Sequence, residues 1–425
     1  METAAVLPVA GIRLGSVAAG IRYKDRKDLV LIELAPGSTC AAVFTTNAFC
    51  AAPVIVAREH LAAGEPRYLL INSGNANAGT GQNGLRAARE TCKSLAAAAG
   101  CAMSQVLPFS TGVIGVDLPT NVFAMAAPSA LAALDEQGWQ DAARAIMTTD
   151  TVPKLCSRQI EIDGKPVTVT GMSKGSGMIR PDMATMLAYV ATDAQVPQAV
   201  LQALLQQAVA GSFNAISVDG DTSTNDACVL MASGASGVRV ESGESADGRR
   251  LAAAIAAVCA ELAEMIVRDG EGATKLVRLC VESAASEAEA ANVAYTVAHS
   301  PLVKTALFAS DPNWGRILAA VGRAGIDRLD VERIRIWLDD VCIVSAGGRD
   351  PEAAAGAAAA HHGQGQLGPN RPATGGSAVD PCGGGPDGRI LRGGVGGTSA
   401  HPACLEAGIG STKGDGSPTS IRTTN

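Results

Sequence analysis

The pattern that can fold stops abruptly. Up to about Ala346, β-branched apolar runs alternate with Ala/Leu-rich stretches. From Gly347 to Asn425 the chain turns Gly/Pro/Ala-rich, without an aromatic residue and almost without a run of large apolar side chains. Such a segment cannot offset its ordering entropy by burial, so 347–425 is expected to be a disordered tail. Its composition also resembles a GC-rich gene translated in the wrong frame.

Within the foldable part, strands are predicted at Leu29–Leu34, Tyr68–Asn72, Val167–Gly171, Met186–Thr192, Leu276–Val281 and Ile334–Val344. Helices are predicted at Leu85–Ala99, Asn121–Leu134, Val196–Ala210 and Arg249–Val267. The alternation has no clean βαβ period, so the expected class is α/β or α+β, with layered sheets and helices. Hydrophobic residues make up 47 % of the chain but aromatics only 3 %, so the core must be built from small aliphatics. A net charge of −7 without a basic patch argues against a general nucleic-acid binder. The longest apolar stretch, Leu251 to Val267, carries Glu261 and Glu264 and reads as a buried-face helix, so no membrane partner is expected.

The eleven cysteines are scattered singly with no CxxC, and read as small buried hydrophobes in a reducing cytoplasm. No histidine pair has metal-ligand spacing, and a His-centred triad is set aside, since only His60 and His299 lie in foldable sequence. Gly79–Gly84 fits GxGxxG but comes too late after its strand for a dinucleotide turn. Asp219–Asp226 looks like a calcium loop, yet Thr224 stands at its sixth position and Leu230 at its twelfth. A hydrogen-bonded turn network is expected there instead, and no metal.

The segment Gly171–Ala188 is chemically suggestive. A Gly/Ser/Lys loop runs into Pro181, then small Ala184, then Thr185 opening an apolar strand. A threonine hydroxyl is a weak nucleophile without an adjacent base. Cleavage before Thr185 would free an α-amine with a pKa of about 7.7–8.0, beside its own hydroxyl. One residue would then hold nucleophile and general base. The cut would start with the Thr185 hydroxyl attacking the Ala184 carbonyl, and water would hydrolyse the resulting ester. Taken alone, the segment reads rather as an ordinary Gly-rich turn before a strand.

Lys174–Ala188 resembles the autocleavage segment of the ornithine acetyltransferase/glutamate N-acetyltransferase family. Further segments resemble that family in the same order: Gly20-Ile21-Arg22 with Lys27-Asp28-Leu29, Val43–Asn47, Asn72–Asn77, Ser110–Gly115, Met147–Thr151, Ser217–Asp226, Asp269–Lys275 and Ser310–Arg316. The resemblance runs from the N-terminus to about Gly348. It implies the family's layered fold, an α chain of residues 1–184, and a β chain of 185–346 that begins with the nucleophile Thr185. It implies that Thr111 and Gly112 form an oxyanion hole, and that Thr151, Lys174, Thr185 and Glu271 bind substrate. Thr151 is chosen over Thr148 and Thr149 on its spacing to Thr185. By charge, Lys174 suits the substrate carboxylate and Glu271 the ornithine ammonium.

The implied reaction is ping-pong: N2-acetyl-L-ornithine acylates Thr185, ornithine leaves, and L-glutamate takes the acetyl group. No cofactor is required, although some family members use acetyl-CoA as co-substrate. A cytoplasmic assembly of two α and two β chains is implied as well. A self-processing N-terminal-Thr amidase or aminopeptidase is the alternative, and an inactive remnant a third reading. The third arises because the family ends in a strand-rich segment finishing Asn-Ala-Asp-Tyr-Arg, which supplies an Asn and a Ser or Thr to the pocket. Nothing in 347–425 matches it, and a frameshift just past Gly348 is the favoured explanation.

Overall fold

The computed structural model describes residues 6–180, 186–339 and 341–351, and the backbone of 390–394, 403–410 and 419–424. It divides into two units, Met1–Glu271 and Gly272–Asn425.

The first unit has two facing sheets between helices. One sheet contains β1 (Ile12–Val17), β2 (Leu29–Leu34), β4 (Tyr68–Asn75) and β5 (Val106–Val113), in that order. The other runs β3 (Thr39–Phe44), β10 (Ala227–Ala232), β8 (Leu187–Thr192), β7 (Lys165–Lys174), β6 (Lys154–Ile162). Period-two side-chain alternation explains why the central strands read as continuous apolar runs. In β2, Val30, Ile32 and Leu34 join Leu69, Ile71, Phe109, Tyr189 and Val229 in the layer between the sheets. Leu29 and Leu31 point the other way, toward Ala88, Cys92 and Leu95 of α2 (Gly81–Ala99) and Phe123 and Ala127 of α3 (Thr120–Ala132). The rings of Phe109 and Tyr189 meet edge-on across the two sheets, centroids 5.4 Å apart.

On the outer face of the second sheet lie α5 (Gln198–Ala210) and α6 (Ala246–Arg268). The α6 helix starts where the Ser245 hydroxyl caps the Gly248 N–H. Its buried stripe of Leu251, Ile255, Val258, Leu262 and Ile266 has helical spacing. Among the described residues no helix is long and apolar enough to cross a membrane.

In the second unit, β11 (Ala273–Glu282) pairs antiparallel with β16 (Ala403–Gly410) and parallel with β15 (Ile390–Gly394). The strand expected at Ile334–Val344 is a hairpin of β12 (Arg335–Leu338) and β13 (Val341–Ser345), broken where Asp339 takes φ +54°. β17 (Thr419–Thr424) pairs with β12. Helices α7 (Glu287–Ala298), α8 (Pro301–Phe308) and α9 (Trp314–Gly322) cover the core around Val277, Leu279, Val293 and Ile336. Asn313, from the Ser310–Arg316 segment, caps α9.

Four strands, the two-residue β14 (Gly348–Arg349) among them, thus lie in a tail where the residue pattern indicates none. The exposed backbone groups of β11 and β12 can pair with any extended segment, whatever its side chains. The rest of that tail, from Glu352 on, lies outside the described residues. Among the described residues eight cysteines are free thiols, but Cys280 is disulfide-bonded. The all-thiol expectation therefore fails at that position.

Candidate active site

Thr185 and Ala184 lie outside the described residues, as do Pro181 to Met183. Their surroundings are described on both sides. The loop leaves β7 at Lys174 and re-enters at Leu187, and these two residues pair across the antiparallel strands. On its other side Leu187 pairs with Ala227 of β10, whose N–H donates to the Met186 carbonyl at 3.1 Å. Residue 186 therefore sits at the head of the central strand, between Lys174 and the Asn225-Asp226-Ala227 corner.

Thr111 and Gly112 end β5 beside the parallel strand β4. Gly112 has φ +135°, and a Cβ there would come within 2.2 Å of the Gly74 carbonyl carbon and 2.5 Å of the Asn75 nitrogen. Only glycine lets the two strand ends approach this closely. Asn225 ties this turn to β10. Its side-chain amide donates to the carbonyls of Ser110 (2.9 Å) and Ala76 (2.6 Å) from a buried position. Ser110 in turn donates its hydroxyl to Asn72 Oδ1 at 2.6 Å. The oxyanion-hole candidates are thus joined by Asn225 to the start of β10, which pairs with β8, the strand after Thr185.

Lys174 is mostly buried, its Nζ 3.9 Å from Asp150 Oδ2. Burial pulls its ammonium below the usual lysine range; Asp150, Asp226 and Glu271 act against that, while Lys154 adds to it. Burial pushes the Asp150 carboxyl up, yet the ammonium groups of Lys174 and Lys154 outweigh it and hold the pKa at about 2. Lys154, fully buried at the head of β6, bonds Asp150 Oδ1 at 2.7 Å and Asp269 Oδ2 at 2.6 Å. Asp269 also accepts the Thr151 N–H, at 3.0 Å to Oδ2, and the Thr151 hydroxyl. Thr151 is exposed, and its hydroxyl is already engaged by that carboxylate. The hydroxyl of Thr149 instead meets that of Ser176, at 2.7 Å.

Glu271 donates its N–H to the Ser176 carbonyl at 2.6 Å. Its carboxyl carbon lies 2.5 Å from where a Gly177 Cβ would stand, so a larger residue there would push the Glu271 carboxylate out of this position. Thr151, Lys174 and Glu271 are thus gathered on three adjoining segments of the first unit. The Asp219 carboxylate takes the N–H groups of Met178 (2.5 Å), Ile179 (2.9 Å) and Asp221 (3.0 Å). It straps down Met178 and Ile179, on the stretch that leads toward Ala184 and Thr185. No cluster of three or more potential metal ligands occurs among the described residues. Gly81 and Gly84, from the GxGxxG match, begin α2, where Asn77 binds the Gly84 carbonyl at 3.0 Å. His60 is a core residue bonded to the Val106 carbonyl at 2.7 Å.

Sequence reasoning gave no role to Lys154, Asp150 or Asp269; for the stretch holding Asp219 and Asn225 it expected a hydrogen-bonded turn network, which their bonds form, but no role for either residue by itself. All but Lys154 lie in the segments quoted above, and the signal was a charged or amide side chain flanked by glycine or threonine. Lys154 carried no such signal.

The family model described as the ArgJ family matches residues 13–366. The arginine biosynthesis bifunctional protein ArgJ of Methylococcus capsulatus (strain Bath) is 63 % identical over 345 residues, covering 81 % of this chain and 84 % of that one. Its namesake from Pseudomonas fluorescens is 55 % identical over 343 residues, covering 80 % and 84 %. Among solved structures, an arginine biosynthesis bifunctional protein from Bacillus halodurans is 36 % identical, covering 43 % of this chain and 95 % of its own, with a TM-score of 0.39. The ornithine acetyltransferase of Mycobacterium tuberculosis, solved in complex with ornithine, is 35 % identical, covering 41 % and 93 %, with a TM-score of 0.37.

Proposed function

This chain belongs to the ArgJ family, and from that membership we propose that it transfers the acetyl group of N2-acetyl-L-ornithine to L-glutamate through an ester on Thr185. The products are L-ornithine and N-acetyl-L-glutamate, a step of arginine biosynthesis. The observation that carries the reading is the family match, taken with the meeting of Lys174, the head of β8 and the Asn225-bound Thr111–Gly112 turn.

In this reading the chain cuts itself between Ala184 and Thr185, and the freed α-amine takes the proton from the Thr185 hydroxyl as it attacks the acetyl carbonyl. The Gly112 N–H and the Thr111 hydroxyl stabilise the oxyanion, a donor of this kind contributing about 2.7–4 kcal/mol. Lys174 holds the substrate carboxylate and Glu271 the ornithine ammonium. Thr151, held in place by Asp269, offers its hydroxyl oxygen to the substrate as an acceptor. The exchange needs no cofactor, and acetyl-CoA serves at most as an additional acetyl donor. The working form is a cytoplasmic assembly of two fragments 1–184 and two fragments beginning at Thr185, with 347–425 outside the catalytic part.

Intact mass and electrophoresis of purified protein should give two fragments, the second starting at Thr185, and Thr185→Ala should abolish cleavage and turnover together. Acetyl exchange between labelled ornithine and glutamate should outrun the appearance of free acetate. Free acetate forming faster would assign the chain to amide hydrolysis instead. An uncut but active chain would remove Thr185 from the mechanism.

A further inference from the structure

We infer that Lys154 is the positioning residue of this active site: one buried ammonium that clamps two carboxylates and, through them, fixes the three segments carrying Thr151, Lys174 and Glu271. The inference rests on the acetyl-transfer reading for its substrate, but its central observations stand apart from it.

The side chain of Lys154 is fully buried, as is that of Asp150, and Asp269 is almost so. None of the three can meet a substrate directly. Two of the ammonium's three protons go to Asp150 Oδ1 (2.7 Å) and Asp269 Oδ2 (2.6 Å), and the third faces the Val152 carbonyl at 3.5 Å. The remaining acceptor capacity of both carboxylates is spent on the active-site segments. Asp150 receives the N–H of Gly175 at 2.7 Å and of Thr148 at 3.0 Å. Asp269 receives the Thr151 N–H and hydroxyl. Gly175 directly follows Lys174 and opens the loop to the cut site; Asp269 lies two residues before Glu271.

With Lys174 beside Asp150, the four groups balance, two ammonium against two carboxylate. Removing the Lys154 charge leaves two buried carboxylates to share Lys174. The ammonium of Lys174 would then be drawn inward, away from any substrate carboxylate, and the Gly175 turn released. A shift of about 1 Å in a group near the chemistry can cost on the order of a hundredfold in rate.

The test uses the full-length chain. In Lys154→Met, self-cleavage followed by intact mass should slow by about a hundredfold. In the fraction that does mature, KM for acetylornithine should rise at least as steeply as kcat falls, because the lost positioning acts on Lys174. Lys154→Arg, whose guanidinium can still span both carboxylates, should recover most of both. Since methionine alone leaves two buried carboxylates to one ammonium, the charge-balanced double variant Lys154→Met/Asp269→Asn, which keeps the Lys174–Asp150 pair, is measured beside it. It should keep a cooperative melt while remaining slow. Parent-like cleavage and KM in the double variant would overturn the inference. So would an activity loss in Lys154→Met that merely follows its unfolded fraction, the folded remainder being fully active. Cleavage is read without any substrate, whereas a wrong substrate assignment would show in the parent enzyme as absent acetyl exchange, so the two failures separate.

Discussion

Alanine at position 112 would put a methyl carbon 2.2 Å from the Gly74 carbonyl carbon and 2.5 Å from the Asn75 nitrogen, on backbone held at φ +135°. Two costs follow. A side chain in that backbone region costs about 1–3 kcal/mol. Pushing the β4 backbone aside is an overpacking penalty of about 1–3 kcal/mol more, and backbone atoms yield less than side-chain tips. Gly115, three residues on, supplies the control, because it too has positive φ (+79°) while nothing lies within 4 Å of its Cβ position. Gly115→Ala should therefore pay only the conformational cost. Urea unfolding of both variants in a Thr185→Ala background, where the chain stays intact, gives the comparison. Gly112→Ala should lose about 2–6 kcal/mol and Gly115→Ala about 1–3 kcal/mol. With Thr185 restored, Gly112→Ala should also cleave on the order of a hundredfold more slowly, as its N–H is displaced from the oxyanion. Equal stability and equal cleavage in the two variants would refute the claim that strand-end contact sets residue 112.

Two further outcomes follow from buried polar groups. The Asp150 carboxyl has a folded pKa of about 2 against an ordinary 3.8, so it stabilises the fold above the higher value and loses that contribution as pH falls through the lower one. The unfolding free energy from urea titrations should therefore decline by about 2 kcal/mol between pH 5 and pH 2 for this group, and Asp150→Asn should flatten that acid limb; an unchanged limb would refute the assignment. The Tyr189 hydroxyl is buried without a hydrogen-bond partner among the described residues. Tyr189→Phe should leave the thermal midpoint unchanged or raise it, since an unmet buried hydroxyl costs about 1–3 kcal/mol, and a clear drop would reveal a missed partner.

The elements legible in the residues were those whose burial pattern has one meaning. β2 appears with the bounds its apolar run predicts, Leu29–Leu34, because both of its faces are covered. Helices α2, α3, α5 and α6 appear within a few residues of the Ala/Leu periodicity. Missed were β3 (TCAAVF) and β10 (ACVLMA), whose alanines, cysteine and methionine fit helix as well as strand. α1 (Ala52–Ala63) was missed for the opposite reason, its Val54, Ile55 and Val56 reading as strand. At the site, Thr111, Gly112, Lys174 and Glu271 were legible only through the family resemblance. Their arrangement was not, because it depends on Lys154 and Asn225, each of which has a partner more than a hundred residues away in the chain.

The pairing of β7 with β8 has a consequence for any break in the loop between them. Six register pairs, Val169↔Thr192 to Lys174↔Leu187, stitch the sequence before the loop to the sequence after it. Severing the loop would leave both fragments clasped in one sheet, so the nicked molecule would travel as a single particle. Once unfolded, however, it would become two polymers that must find each other again. Refolding would then slow on dilution, whereas the uncut precursor would refold at a rate indifferent to its concentration.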